Sequence, residues 1–439
     1  MRAEEHAERR RRLIEAMGEG SVAVVPAARE RLRNRDVHYP FRQDNDFHYL
    51  TGFPEPEAVA VLVPGRAEGE FILFCRERDP LMEIWNGRRA GPEGARERYG
   101  ADDAHVIGEI DELLPALLEN RQRLYYAVGA DADFDARMMG WLNSVRGRAR
   151  AGVTAPREIV GVDHLLHEMR LFKSPAELEL MHRAGRISAE AHCRAMALTR
   201  PGMREYEIEA ELLAVFRRHG CVTAYAPIVG GGANGCILHY TENDAVLNDG
   251  ELLLIDAGAE LACYAADITR TFPVNGRFSG EQRAIYQLVL AAQQASIEAV
   301  VPGGSWQAPH EASVQVLTRG LVDLGLLQGD VDGLIEEEKY RRFYMHRTGH
   351  WLGMDVHDVG DYRELGQWRL LQPGMVTTVE PGLYIAAGSE GVDQRWWNIG
   401  VRIEDDVAVT AEGHQVLTDE VPKTVAEIEA LMADARRAG

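Results

Sequence analysis

Four acidic side chains in the second half of the chain lie where a buried strand would carry apolar residues. Each one ends or interrupts a short strand-like run, and the four are Asp256, Asp267, Glu380 and Glu404. The clearest case is Asp256, which follows the run Leu-Leu-Leu-Ile. Four consecutive large aliphatic residues predict a strand that is buried on both faces, so we expect Asp256 to face the interior. An unpaired buried carboxylate is costly, and such acids therefore either pair with cations or bind metal ions.

Charge balance distinguishes these two explanations. Arg270 and Arg402 could pair with two of the four acids, but at least two carboxylates would then have no partner. Two divalent cations would neutralise all four carboxylates. If two of the carboxylates bridged the ions, the ions would lie about 3.5 Å apart, as in two-metal hydrolases. The acids therefore predict a dinuclear metal site.

A softer ligand is available from a segment rich in histidine and glycine. His346, His350 and His357 fall within twelve positions of one another. A single histidine is more often a hydrogen-bonded core residue, but three histidines on one glycine-containing turn favour a functional role. A site with mostly oxygen ligands and one imidazole favours Mn²⁺, with Co²⁺ and Zn²⁺ as alternatives.

Two of the acidic segments show the alternation of a half-buried strand. Over residues 264–272 the pattern places Asp267 on the same face as two threonines, whose hydroxyls can orient a carboxylate. In the last segment the alternation places Arg402 and Glu404 on one face. We therefore expect a continuous strand through Asp267.

Helices in the same half precede these strands. Ser174-Pro175-Ala176-Glu177 has the composition of a capping box and predicts a helix start. Pro201-Gly202 and Pro302-Gly303 each precede a helical stretch that is followed by strands. This weak internal sequence repeat favours a domain built from two duplicated α+β halves.

The first part of the chain, up to about residue 170, has a different pattern. Short apolar runs at residues 22–25, 59–63 and 71–74 alternate with helical stretches such as residues 107–119. This alternation favours an α/β layer domain. The net charge is −5 over residues 1–170 and −16 over residues 171–439, so the acid excess lies in the second part, where the metal site is predicted.

Composition excludes several classes of function. The 439 residues carry a net charge of −21, which disfavours binding to nucleic acid or to an anionic membrane. The N-terminal segment has no apolar core of a signal sequence, so we expect a cytoplasmic protein. The five cysteines are scattered without CxxC pairing, which predicts free thiols.

The motifs around the five candidate ligands resemble those of the pita-bread metallopeptidases. They read IDAG, DITRTF, HRTGHWLGMDVHD, VEPGLY and IGVRIED. More narrowly they resemble Xaa-Pro aminopeptidases (aminopeptidase P), with prolidases as close relatives. The segment from Tyr39 to Phe53 is similar to the N-terminal domain of that subfamily. The resemblance implies an aminopeptidase P-type α/β domain over residues 1–170. It implies an α+β pita-bread catalytic domain with pseudo-twofold duplicated halves over residues 171–439.

The resemblance also implies metal ligands. Asp256 would chelate one ion, Asp267 and Glu404 would bridge both ions, and His350 and Glu380 would hold the second ion. Glu380 would in addition act as the acid/base group beside the bridging water.

Roles around the metals are implied in the same way. His239 and His357 would contact the scissile carbonyl and its tetrahedral intermediate. His346 would lie near the proline side of the cleft. Arg402 would orient Glu404. Four further residues are candidate substrate contacts: Asp36, Arg42, Trp85 and Tyr384.

The resemblance finally implies a function. We expect a dinuclear metal-dependent aminopeptidase that releases the N-terminal residue from small peptides with proline in the second position, through attack by a metal-bridged hydroxide. A prolidase with the same site but restricted to dipeptides is the first alternative. A metal-free peptide-binding or scaffolding protein is the second. A homodimer or homotetramer is expected, because many relatives form such assemblies.

Overall fold

A computed structural model of the chain describes residues 2–438 and divides into two compact units. The first unit extends to Met169 and the second begins at Arg170. Among the described residues, no helix combines the length and the apolar character that a membrane crossing would need.

The N-terminal unit is built on a six-stranded mixed sheet with the strand order β6-β5-β4-β1-β7-β8. The strands are β1 (Ser21–Pro26), β2 (Leu32–Asn34), β3 (Val37–His38), β4 (Val59–Leu62), β5 (Phe71–Cys75), β6 (Asp103–Val106), β7 (Arg123–Tyr125) and β8 (Glu158–Val160). The helices are α1 (Ala3–Met17), α2 (Asn45–Thr51), α3 (Pro80–Asn86), α4 (Gly91–Tyr99), α5 (Ile110–Leu118), α6 (Ala132–Arg146) and α7 (Asp163–Leu171), the last of which runs through the boundary between the units. Strands and helices thus alternate, as the apolar runs predicted.

Helices α1 and α2 of this unit meet through buried polar side chains. Arg9 and Arg10 of α1 donate hydrogen bonds to the backbone carbonyls of Tyr49 and Leu50 in the last turn of α2, at 3.1 and 2.8 Å. The last carbonyls of a helix need hydrogen-bond donors from outside the helical pattern, and the two arginines supply them as a C-terminal cap. The ring of His6 also contacts this turn, because its Nδ1 lies 3.0 Å from the Tyr49 carbonyl.

Burial makes one histidine in each of these two helices, His6 in α1 and His48 in α2, a weak base. It lowers the pKa of His6 to about 4 and the pKa of His48 to about 3. In the unfolded chain both would titrate near 6.5. Below that pH the unfolded state binds protons that the folded unit does not accept, so stability is fully present above about pH 6.5 and falls as the pH drops towards about 4.

We predict that lowering the pH from about 7.5 to about 5.5 reduces the free energy of unfolding of the N-terminal unit by about 1 kcal/mol for each of these histidines. Hydrogen exchange of the buried β1 amides in the full chain measures this. The variant H48Q should lose part of the pH dependence, whereas H38Q, which changes an exposed histidine of the same unit, should keep it. Equal pH dependence in the two variants would contradict the assignment.

The C-terminal unit contains small antiparallel sheets covered by long helices. Its strands are β9 (Val222–Thr223), β10 (Ile228–Gly231), β11 (Leu252–Asp256), β12 (Ala259–Leu261), β13 (Tyr264–Ala265), β14 (Thr269–Pro273), β15 (Arg363–Glu364), β16 (Gln367–Trp368), β17 (Val376–Val379), β18 (Gly382–Ile385), β19 (Ile399–Arg402), β20 (Asp405–Val409) and β21 (His414–Val416). Its helices are α8 (Pro175–Leu198), α9 (Glu205–Arg218), α10 (Gly280–Glu298), α11 (Ala308–Asp323), α12 (Val331–Glu336) and α13 (Val425–Ala438).

The order of these elements repeats. The helix pair α8–α9 precedes the sheet β10-β11-β14, and the pair α10–α11 precedes the sheet β17-β20-β21. The predicted start of α8 is confirmed, because Ser174 and Glu177 cap each other reciprocally: the Ser174 hydroxyl accepts from the Glu177 amide, and the Glu177 carboxylate accepts from the Ser174 amide at 2.9 Å.

The prediction of one continuous strand over residues 264–272 is wrong. Strand β13 ends at Ala265 in one sheet and β14 begins at Thr269 in another, so Asp267 lies in the break between them. The cause is a close backbone crossing at Gly258, where a Cβ atom would lie only 1.7 Å from the Ala266 carbonyl oxygen. Only glycine fits there, and the crossing separates the two strands.

Candidate metal centre and active site

The five predicted ligands line one cavity of about 820 Å³ in the C-terminal unit. The atoms that could ligate a metal lie near one another: one from each of Asp267, His350 and Glu404 lie mutually within 4.8 Å. His350 Nε2 lies 3.5 Å from Asp267 Oδ2 and 3.7 Å from Glu380 Oε1. The chain thus brings together side chains from positions 256 to 404.

Strand ends position the acidic residues. Asp256 ends β11, Glu380 directly follows β17, and Glu404 lies between β19 and β20. In the antiparallel sheet Asp256 is directly opposite Thr269, the first residue of β14. Each of these three carboxylates therefore lies where the hydrogen bonds between two strands end, and the preceding buried strand fixes its direction.

Backbone hydrogen bonds to β17 position His350. The His350 amide donates to the Thr378 hydroxyl at 3.1 Å, and the Thr378 amide donates to the His350 carbonyl at 3.0 Å. The preceding residue, Gly349, permits this contact, since a Cβ atom there would lie 2.1 Å from the Thr378 carbonyl oxygen. The imidazole Nδ1 lies 2.9 Å from the Trp351 carbonyl, which leaves Nε2 directed at the carboxylates.

Electrostatics show that the carboxylates are crowded. Burial, together with the nearby acids, raises the pKa of Glu380 to about 7 and the pKa values of Asp256 and Glu404 above their usual range. For Asp267, burial also raises the pKa, but His350, Tyr225 and Arg402 together outweigh it and the value falls below normal. For His350, burial lowers the pKa, but Asp267 and Glu380 outweigh it and raise the value to about 9.

A pair of divalent cations fits this donor set. Four carboxylates share one cavity, those of Asp267 and Glu404 buried and those of Asp256 and Glu380 half-buried, and the one arginine buried with them, Arg402, has its ion pair with Asp256 alone. Carboxylate oxygens with an imidazole nitrogen are ligands that suit divalent ions such as Mn²⁺. The negative charge that Arg402 leaves uncompensated is the charge that such ions would neutralise.

Arg402 does not contact Glu404 as the resemblance implied. Its Nη2 donates to Asp256 Oδ2 at 2.7 Å and its Nε donates to the Thr269 hydroxyl at 3.0 Å. That hydroxyl in turn donates to Glu404 Oε2 at 2.6 Å. Arg402 therefore orients Asp256 directly and reaches Glu404 through Thr269. A threonine hydroxyl does orient a carboxylate, as the alternation suggested, but the carboxylate is that of Glu404 and not that of Asp267.

Arg270 was the second arginine that could have neutralised one of the four acids, but it pairs with a different residue. Arg270 donates to Asp405 at 2.7 Å, and both side chains are completely buried. Its remaining contacts are backbone carbonyls, including that of Glu404. Arg270 thus stabilises the junction of β19 and β20 where Glu404 lies, and it compensates none of the four predicted ligands.

The three histidines expected around the metals all line the cavity. The His357 ring lies edge-on to His350 with their centroids 4.2 Å apart. His239 is exposed on the wall, and His346 Nε2 lies 2.8 Å from the Tyr384 hydroxyl. Tyr384 itself is only 3% exposed, and its hydroxyl also accepts from Arg402 at 3.0 Å. Tyr384 thus lies behind His346 rather than on the wall.

The other three candidate substrate contacts belong to the N-terminal unit. Asp36 and Trp85 are exposed, and the Trp85 side chain is 83% accessible. The Arg42 guanidinium donates to the Gln43 carbonyl and to the Asn45 side chain at 2.6 and 2.7 Å. Their role in substrate binding stays a prediction.

Sequence reasoning missed Tyr225, which contacts two of the ligands. Its hydroxyl lies 2.5 Å from Asp256 Oδ1 and 2.5 Å from Asp267 Oδ1. A hydroxyl has one proton, so it donates to one carboxylate at a time. Burial, followed by the two carboxylates, raises its pKa well above normal. Tyr225 lies in a loop without periodicity, and no local pattern marks it.

A buried ion-pair network, also missed, anchors the loop that carries His357. Asp358 accepts from Arg170 at 2.6 Å and from Lys173 at 2.8 Å, and the side chains of Asp358 and Lys173 are each 1% exposed. Arg170 also pairs with Asp355, which lines the cavity two residues before His357. The network therefore holds both ends of the segment that presents His357.

Residues 179–411 match the model of metallopeptidase family M24, and residues 6–125 match that of the aminopeptidase P N-terminal domain. The chain belongs to metallopeptidase family M24. Its membership confirms the prediction of a hydrolytic metalloenzyme, and the two matches together confirm the predicted fold class.

Individual proteins resemble this M24 chain in sequence and structure over nearly its whole length. The structure of Pseudomonas aeruginosa aminopeptidase PepP is 59% identical, with a TM-score of 0.99, over 100% of this chain and 99% of that one. A glutamate-to-alanine variant of Escherichia coli aminopeptidase P in complex with substrate is 47% identical with a TM-score of 0.97, over 100% and 99% of the two chains. Xaa-Pro aminopeptidase from Haemophilus influenzae is 48% identical over 431 residues, 98% of this chain and 97% of that protein. The resemblance to Xaa-Pro aminopeptidases is confirmed.

We predict that K173M lowers the free energy of unfolding of the C-terminal unit by about 3 kcal/mol, because it removes one partner of a buried charge. Denaturant unfolding of the full chain measures the loss. The control R186M removes an exposed ion pair between Arg186 and Glu420, whose side chains are 60% and 52% accessible, and should cost less than about 1 kcal/mol. Equal losses in the two variants would contradict a structural role for the buried network.

Proposed function

We propose that the chain is a dinuclear metal-dependent Xaa-Pro aminopeptidase that removes the N-terminal residue from peptides with proline in the second position. The convergence of four buried or half-buried carboxylates and one imidazole in a single cavity is the observation that carries this proposal. Two further facts support it. The chain is an M24 family member, and the relatives at 48% identity are named Xaa-Pro aminopeptidase.

Five side chains would hold the two ions in this proposal: Asp256, Asp267, His350, Glu380 and Glu404. Mn²⁺ suits this donor set best, with Co²⁺ and Zn²⁺ as alternatives. When bound, the ions make water a nucleophile at neutral pH and polarise the scissile carbonyl.

The remaining chemistry belongs to residues of the chain. Glu380 takes a proton from the attacking water and delivers it to the proline nitrogen as that nitrogen leaves. His239 and His357, both on the cavity wall, donate hydrogen bonds to the oxyanion that forms from the carbonyl oxygen. Arg402 and Tyr225 keep the Asp256 carboxylate in one orientation through hydrogen bonds of 2.7 and 2.5 Å.

Proline imposes its own requirements on the cavity. A peptide bond to proline has no N–H group and its φ angle is fixed near −65°, which disfavours sites that bind an extended strand. Ile228, Leu238 and Val356 supply apolar surface on the wall against which the pyrrolidine ring packs. His346 lies on the same wall and is fixed by Tyr384.

Two alternative functions fit the chain less well. A prolidase would share the site, and human Xaa-Pro dipeptidase is 34% identical, below the identity of the bacterial aminopeptidases. A metal-free binding or scaffolding protein would have no use for crowded buried carboxylates, which are costly without cations. The predicted homo-oligomer and cytoplasmic location stay predictions.

We predict that the Mn²⁺-loaded full chain cleaves Ala-Pro-Ala at least as fast as Ala-Pro and leaves Ala-Ala-Ala intact. Release of free alanine, followed by chromatography, measures all three. Cleavage of the dipeptide alone would identify a prolidase. Cleavage of none of these peptides would contradict the proposed function.

A further inference from the structure

One exposed arginine lines the cavity that contains the four carboxylates. Among the described residues that line this cavity, the arginines and lysines are Arg347 and Arg402. Arg402 is 4% exposed and its guanidinium is occupied by Asp256 and Tyr384. Arg347 is exposed, and its position directly after His346 places it on the loop that leads to the ligand His350.

The Arg347 guanidinium is held in place by uncharged groups. It lies 4.9 Å from the ring centroid of Trp368 and donates to the side-chain oxygen of Gln307. A second guanidinium, that of Arg363, lies 4.0 Å from the same indole, because Arg363 pairs with Trp368 across the β15–β16 hairpin. Two guanidiniums thus contact one aromatic ring and give this surface a local positive charge.

No carboxylate of the described residues forms an ion pair with Arg347 or Arg363. Elsewhere in the same unit arginines find acids readily, as Arg283 does with Glu429 and Arg369 does with Glu364. Within the described part of the chain, exposed arginines without an ion pair also occur outside the cavity, as Arg395 does, so the position of Arg347 on the cavity lining is what distinguishes it. A guanidinium presents a planar fork of donors that matches a carboxylate in two parallel hydrogen bonds.

The chain geometry places this fork within reach of a bound peptide. Arg347 is three residues from His350, which limits their Cα separation to about 11 Å. In a peptide cleaved before proline, a carboxylate on the following residue lies about two residues, or about 7 Å of extended chain, from the scissile bond. Arg347 and His350 line the same cavity, so one peptide bound there can contact both.

We propose that Arg347, supported by Trp368 and Arg363, is a specificity-determining residue that binds a carboxylate on the residue after proline. The proposal rests on the proposed function and names the substrate class of that site: short peptides with a negative charge just beyond proline. The charge comes either from the C-terminal carboxylate of a tripeptide or from an acidic side chain in that position. Both present the same group to the fork.

Three matched substrates test this with the Mn²⁺-loaded full chain. Ala-Pro-Gln-amide is neutral beyond proline, Ala-Pro-Gln with a free terminus carries the C-terminal carboxylate, and Ala-Pro-Glu-amide carries the side-chain carboxylate. We expect kcat/KM for at least one carboxylate substrate to exceed that of the neutral one about fivefold, mainly through KM. The preferred substrate identifies the source of the charge. Salt should reduce the preference.

Substitutions assign the preference to a residue. R347Q should bring the ratio of carboxylate to neutral substrate close to one, and R347K should retain part of it, because an ammonium keeps the charge without the fork. The control R395Q removes another exposed arginine that stacks on a tryptophan, 5.3 Å from the Trp396 centroid, outside the cavity lining. It should keep the wild-type ratio.

Three results would overturn the inference. They are a wild type that treats all three substrates alike, an unchanged ratio in R347Q, and an equal loss in R395Q. Each leaves the proposed function in place, since the neutral substrate is still cleaved. Failure of the wild type to cleave any of the three overturns the proposed function and this inference with it.

Discussion

Repulsion among carboxylates that are buried or half-buried in one cavity is the constraint on which the rest of the C-terminal unit depends. Asp256, Asp267, Glu380 and Glu404 share one cavity, and burial raises the pKa of three of them. Such a cluster stays charged only if cations neutralise it, and its members stay together only if the surroundings hold them in place. The structure supplies the rigidity, and we infer that divalent ions supply the charge.

Rigidity comes from polar contacts beneath the ligands. Asp405, next to Glu404, is completely buried and accepts hydrogen bonds from four side chains: Arg270, Gln293, Thr418 and Lys423. The Asp267 amide donates to Asp406 at 3.1 Å, which fixes the break between β13 and β14 where Asp267 is presented. Hydrogen bonds of this kind, made beside the ligands, hold metal ligands in one orientation before a metal binds. The ligand strands are therefore tied together independently of the ions.

Much of this site could be predicted from local sequence. An acid after a run of aliphatic residues marked Asp256, a histidine- and glycine-rich turn marked His350, and the capping box marked the start of α8 at Pro175. Each signal is local, because a strand end, a turn and a helix cap are each determined by a few adjacent residues. The five ligand motifs and their order then predicted the family.

The features that were missed or wrong depend on contacts between distant residues. The crossing of Gly258 over Ala266 interrupts a strand that the alternation of residues 264–272 predicted, and nothing in that segment reveals the crossing. Arg402 was expected at Glu404 because the two share a strand face, but it reaches Asp256, 146 positions earlier. Tyr225 bridges two ligands from an irregular loop. Only the packed structure shows which partner each of these side chains finds.

The most direct test of the central claim is a count of bound ions. The wild type, D267N and the control D434N, which changes an aspartate whose side chain is 74% exposed, would be loaded with Mn²⁺, desalted and analysed for metal. We predict about two ions per chain in the wild type and in the control, and loss of metal together with turnover of Ala-Pro-Ala in D267N. A wild type that retains no metal, or a metal-free D267N that still cleaves the tripeptide, would contradict the account.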